Sequence, residues 1–196
     1  MAKTTRRMTT ALAVSAALLT ARAATAADAP VRATIVLHVD DFANLLPSDL
    51  YDAENVARRI FALAGIRTVW VYGMEMAPHI EGALHLKVLV LSREMGEQKI
   101  AADGVGTNVL GQAARACKRA YIFSHRATDL AARNQRDLGS VLGRIIAHEV
   151  GHLVLPENSH SATGIMSAAL DMRATAIPVF TREQETAIRQ TVNSGN

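Results

Sequence analysis

The stretch from Asn134 to Leu155 constrains the fold more than any other part of the sequence. Leu138, Val141, Leu142, Ile145 and Ile146 recur at helical spacing, so the pattern predicts one long helix over Asn134 to Leu155 with a broad apolar face. Pro156 disfavours helical geometry at Leu155 and ends it. Inside this apolar helix stands His148-Glu149-Val150-Gly151-His152. Residues four apart share a helix face, so both imidazoles can reach one ion at about 2.0–2.1 Å. Ile145, Ile146, Val150 and Leu153 flank them, and two imidazoles in such company are hard to satisfy without a metal. Glu149 is offset from both and can contact a water on the ion instead of the ion. Zinc lowers the pKa of such a water to about 7, and a nearby carboxylate can take its proton.

A catalytic zinc site needs a third protein ligand and an open fourth position. Beyond His152 the chain runs Leu153-Val154-Leu155-Pro156-Glu157-Asn158-Ser159-His160. Once Pro156 has ended the helix, polar residues turn the chain and His160 can swing back toward the metal. Glu157 is an alternative carboxylate ligand. A Glu from a later helix is another, with Glu183 and Glu185 the candidates. Thr181 and Gln184 form a Thr-x-x-Gln capping box there, so the helix dipole alone accounts for Glu at that first turn.

The rest of the chain reads as support for that helix. Ala33 to Val39 is a strand, broken by Asp40-Asp41 and Pro47-Ser48. Leu50 to Ala64 is helical, with Gly65 as its stop. Arg67 to Tyr72 and Leu84 to Leu91 are strands, Glu94 to Gln112 is loop-like and glycine-rich, and Ala120 to Ser124 is a further strand. Consecutive strands without intervening helices argue for an α+β fold. No internal repeat or linker is visible. The 196 residues suit one domain, and an apolar share of 49% is enough for a real core. The basic residues are scattered, the formal charge is only +3, and no basic run with interleaved aromatics follows the N-terminus, which weighs against nucleic acid as a partner.

The first residues read as a signal peptide, residues 1–26. Lys3, Arg6 and Arg7 form a positive n-region, Ala11 to Leu19 is a short apolar run, and Ala24-Thr25-Ala26 is a small-x-small cleavage pattern. A bilayer span needs roughly 20 apolar residues, so no stable membrane insertion is expected after cleavage. The domain is then residues 27–196, exported to a periplasmic or extracellular location. Cys117 is the only cysteine, so no internal disulfide can form; it reads as a small buried residue. His38, His79, His85 and His125 show no pair spacing and read as structural or exposed, although His125, just before the long helix, could face a cleft.

The His148 to His152 motif, a further His, and Gly164-Ile165-Met166 together resemble the metzincin clan of zinc peptidases. His160-Ser161 followed by an apolar-Met pair is similar to matrix metalloproteinases and to bacterial exported proteins of metzincin type. Specific similarity covers His148 to Met166. It departs from the clan pattern at Leu155, where the clan has Gly, and at Asn158, where it has the third His; His160 comes two residues later. The resemblance implies one metzincin-like (zincin) domain with a mixed twisted sheet, an N-terminal helix, an active-site helix and a C-terminal helix. It also implies a Met-turn in which Met166 packs beneath the His side chains without binding the metal. It further implies an edge strand above the site that pairs with extended substrate, a role open to the Ala101 to Gln112 stretch. The expected activity is hydrolysis of a peptide or protein substrate with one zinc ion on His148, His152 and His160 and with Glu149 as base. The alternatives are a non-catalytic zinc-binding protein, and a zinc hydrolase of another amide such as a cell-wall linkage.

Overall fold

The structure is a computed structural model that describes residues 33–172 and 176–195. The expected signal peptide, residues 1–26, lies outside the described residues. Five strands form one mixed sheet: β1 (Thr34–Asp41), β2 (Arg67–Tyr72), β3 (Leu84–Leu91), β4 (Gly111–Ala114) and β5 (Arg119–Phe123), in the order β2-β1-β3-β5-β4. All neighbours are parallel except β4, which runs antiparallel to β5 at one edge. The helices are α1 (Pro47–Leu63), α2 (Arg93–Asp103), α3 (Ser124–Asn134), α4 (Leu138–Val154) and α5 (Arg182–Ser194). The α+β class with a mixed sheet is therefore what the chain adopts. No described helix is long and apolar enough to cross a membrane.

Strand alternation sets the layers. Ile35, Leu37 and Val39 of β1 stand in register with Leu84, Leu86 and Val88 of β3, and Val88 and Val90 stand beside Ala120 and Ile122 of β5. All are buried, forming one apolar face. α1 and α4 cover it and press closely together. A Cβ on Gly143 of α4 would sit 2.6 Å from the Ala53 carbonyl oxygen and 2.7 Å from Val56 Cβ of α1, and one on Gly139 would sit 2.6 Å from Asp52 Cβ. Glycine at these helix positions is what lets the two backbones approach. The opposite face is mixed: it carries His38, Asp40, His85, Lys87 and Arg119 toward one end and the buried Val36, Leu91 and Phe123 elsewhere. α2 packs against β3 and β5 on that side, with Lys99 Nζ lying 4.0 Å from the centre of the Tyr121 ring.

Three sequence expectations are corrected. Asp40 and Asp41 do not break β1 but end it. Lys87 on the neighbouring strand pairs with Asp40 at 2.7 Å, and the Asp41 carboxylate accepts from the backbone N–H groups of Ala43 and Leu45. The loop expected over Glu94 to Gln112 is mostly helix α2. It buries only Gly96, so it shows no apolar period, and Ser92 caps its start while Gly104 in a left-handed conformation ends it. The helix expected over Asn134 to Leu155 is α4, which starts four residues later, and an unexpected helix, α3, precedes it. α3 stops at Asn134 with Gln135 at φ 52°, and α4 restarts at an N-cap where the Asp137 side chain accepts from Ser140 N–H at 2.7 Å. α3 turns small residues, Ala127 and Ala131, toward the core, which hid it from a reading based on large apolar side chains.

Candidate metal centre

Helix α4 delivers His148, Glu149 and His152 from the middle of the molecule. Val141, Leu142, Ile145, Ile146 and Val150 are almost wholly buried, so the helix is fixed by its packing and its polar residues point where the core ends. Its last turn is tied down by Arg115, in the short turn after β4. The Arg115 guanidinium donates to the carbonyl oxygen of His152 at 2.6 Å and also to that of Leu155. This places a cation where the helix dipole is negative and satisfies orphan carbonyls. Leu155 leaves the helix in extended geometry (φ −99°, ψ 160°) and is buried. An extended exit needs no left-handed residue, so Leu155 fits here without strain.

The chain then turns back. Asn158 has φ 58°, a left-handed conformation that Asn tolerates better than most residues. It serves as a turn residue, and the imidazole follows two places later. His160 is held from both sides: the Ser159 carbonyl accepts from Gln184 Nε2 of α5 at 2.9 Å, and Ser161 N–H donates to the Met166 carbonyl at 2.9 Å. Gln184 is positioned by the expected capping box with Thr181.

The three rings converge. His152 Nε2 lies 3.0 Å from His148 Nε2 and 3.1 Å from His160 Nε2. Two ligand nitrogens on a tetrahedral zinc stand roughly 3.3 Å apart, given bonds of about 2.0–2.1 Å. The spacing therefore suits one shared ion, and the trio could hold a metal. The far side of each α4 ring is also engaged. His148 Nδ1 donates to the Ile165 carbonyl at 2.7 Å, which leaves Nε2 as the lone-pair nitrogen, and the Ser159 hydroxyl lies 3.4 Å from His152 Nδ1. Burial, and then the neighbouring imidazoles, hold His152 down at about 4; burial likewise lowers His148, partly offset by the bond to Ile165. Both α4 rings are thus neutral at pH 7, the form that binds a metal.

Met166 is fully buried beneath this group. A Cβ on Gly151 would sit 2.5 Å from its sulfur, so the thioether fills the space that glycine leaves on this side of α4. The same turn supplies the Ile165 carbonyl to His148 and is itself fastened by Ile165 N–H to the Val179 carbonyl at 3.0 Å.

Glu149 is 6% exposed, and burial pushes its carboxyl up to about 8. It sits against the edge strand: a Cβ on Gly111 would lie 2.6 Å from Glu149 Cγ. The carboxylate and the three histidines open onto a cleft of about 750 Å³, also lined by Gly111, His125, Arg126 and Leu170. β4, which begins at the end of the glycine-rich Ala101 to Gln112 stretch, leaves one edge without a strand partner among the described residues. His125 does line the cleft, whereas His79 is exposed elsewhere.

The alternative ligands stay apart from this group. Glu157 is exposed on the turn. Glu183 and Glu185 are on the first turn of α5, where the carboxyl of Glu183 is lowered by its own backbone N–H and the Thr181 side chain. Among the described residues the cluster able to hold a metal consists of His148, His152 and His160. Cys117, expected to be buried, is exposed. The sequence reading missed Arg115, the bond from Gln184 to the Ser159 carbonyl, and the Ile165 carbonyl. Arg115 and Gln184 act on backbone carbonyls across 37 and 25 residues, and no local pattern signals such bonds.

No protein-family model matches this chain, and no curated protein matches it. Among solved structures it is similar to the crystal structure of archaemetzincin from Methanopyrus kandleri, with 15% identity and a TM-score of 0.49, over 84% of this chain and 98% of that one.

Proposed function

We propose that this chain is an exported zinc peptidase of metzincin type, with one zinc ion held by His148, His152 and His160, and Glu149 as its general base. The observation that carries the reading is the meeting of three imidazole nitrogens beside a buried carboxylate at the floor of an open cleft. Zinc bound there would acidify a water and polarise a carbonyl oxygen. A purely structural zinc closes its shell with four protein ligands, whereas the described cluster offers three and opens onto the cleft.

The remaining roles follow from the chain's own residues. Glu149 has a raised proton affinity because it is buried without a counter-charge, and a cation on the trio would draw its pKa back down. A carboxylate tuned between those limits can take a proton from the attacking water and give it to the leaving amine. The free edge of β4 can bind an extended peptide through main-chain hydrogen bonds, which asks little of its sequence. The Ile165 carbonyl keeps the His148 ring from rotating, and the Ser159 hydroxyl lies against the His152 ring. Export rests on the basic, apolar and small-residue order of residues 1–26. The His160-Ser161 and Ile165-Met166 pairs align the site with the matrix-metalloproteinase pattern within that clan.

The test is cleavage of a mixed peptide library by the zinc-loaded protein. Hydrolysis is expected, abolished by a chelator and restored by zinc. Glu149→Gln should keep the metal while slowing hydrolysis by roughly two to four orders of magnitude. Cleavage that survives chelation, or an active Glu149→Gln protein, contradicts the assignment.

A further inference from the structure

His38 and His85 are 47 residues apart in sequence yet meet on the sheet face opposite the main core. His38 Nε2 lies 2.9 Å from His85 Nδ1, and the rings stack with centroids 5.2 Å apart and an interplanar angle of 26°. The sheet register brings this about: Val36 pairs with His85 and His38 with Lys87, so the two histidines are diagonal neighbours on adjacent parallel strands. The nitrogen spacing matches that of the three-histidine cluster, 3.0 and 3.1 Å. Both rings project from strands in the middle of the sheet, so the pair is held by rigid elements.

We propose that His38 and His85 form a second metal site, specific for a borderline transition-metal ion of the Ni(II), Cu(II) or Zn(II) type. The surroundings define the class. The pair lines an open depression of about 510 Å³ together with Asp40, Lys87, Cys117 and Arg119. Lys87 is neutralised by Asp40 at 2.7 Å, but Arg119 and the neighbouring Lys118 leave the depression net basic. A basic rim repels hard cations such as Ca²⁺ and Mg²⁺, which depend on carboxylate charge. An ion that binds imidazole through strong donor bonding tolerates that rim. In the metal-free pair one ring donates an N–H hydrogen bond to the other; when that ring shifts its proton to its other nitrogen, both facing lone pairs are free for one ion, with water completing its shell. The site is separate from the three-histidine cluster and does not depend on the peptidase reading.

The experiment loads the full chain with one equivalent of zinc and then measures Ni(II) uptake by equilibrium dialysis, with zinc retention followed in parallel. The wild type should take up one equivalent of nickel and keep its zinc. Nickel affinity should fall roughly tenfold or more in His85→Ala, an exposed position that leaves the core untouched, and likewise in His38→Ala. Cys117→Ser should leave nickel uptake unchanged. Uptake that persists unaltered in His85→Ala, no uptake by the wild type, or loss of uptake in Cys117→Ser alone would overturn the site.

Discussion

Glu149 shows how a single side chain can be tuned by place alone. No charged partner acts on it, and burial between α4 and the β4 backbone raises its pKa to about 8. This has a consequence for the chelated protein. Unfolded, the carboxyl titrates in the ordinary carboxylate range, so between that range and about pH 8 the folded state binds the extra proton, and the associated stability is lost as pH rises. His148 and His152 act oppositely. Their lowered values mean that the unfolded chain binds more protons below about 6.5, so stability rises with pH from about 4 to that point. Above pH 6.5 the Glu149 contribution stands alone among these three. The melting temperature of chelated wild type should therefore fall between pH 6.5 and 8, and Glu149→Gln should flatten that limb. A flat limb in the wild type would mean that the carboxyl is not held protonated by burial.

At the scale of elements, the site depends on close approach between helices and on one distant cap. Gly143→Ala would place a methyl group 2.6 Å from the Ala53 carbonyl, which neither backbone can yield without moving α1 away from α4. A loss of about 1–3 kcal/mol is expected on denaturant unfolding; an unchanged midpoint would show that the helices can separate at no cost. Gln184→Ala removes the reciprocal half of the α5 capping box and the donor to the Ser159 carbonyl. It should cost about 1–2 kcal/mol of stability. It should also weaken zinc binding roughly tenfold, because the segment carrying His160 loses its anchor. Competition with a chromogenic chelator reads this directly, and wild-type affinity would mean that the loop holds itself.

Much of this was legible in the residues, for identifiable reasons. β2 was bounded correctly by its alternation and β3 by its longer, more apolar run, both strong strand signals. The meeting of His148 with His152 follows from helix geometry. The return of His160 was readable only as a possibility, since it depends on the left-handed turn at Asn158 and the clamp from α5. α2 and α3 were hidden because they bury glycine and alanine, which carry little hydrophobic period. The pairing of His38 with His85 depends on strand order, which no local pattern contains.

For the whole molecule, a sheet, two closely packed helices and a returning loop are proposed to give one ion three imidazoles and an open side. The absorption spectrum at the zinc edge, taken on protein carrying one equivalent of zinc, tests this most directly. The predicted shell is three imidazole nitrogens and one oxygen at about 2.0–2.1 Å. A sulfur at about 2.3 Å, or a shell with fewer than three imidazoles, would contradict it.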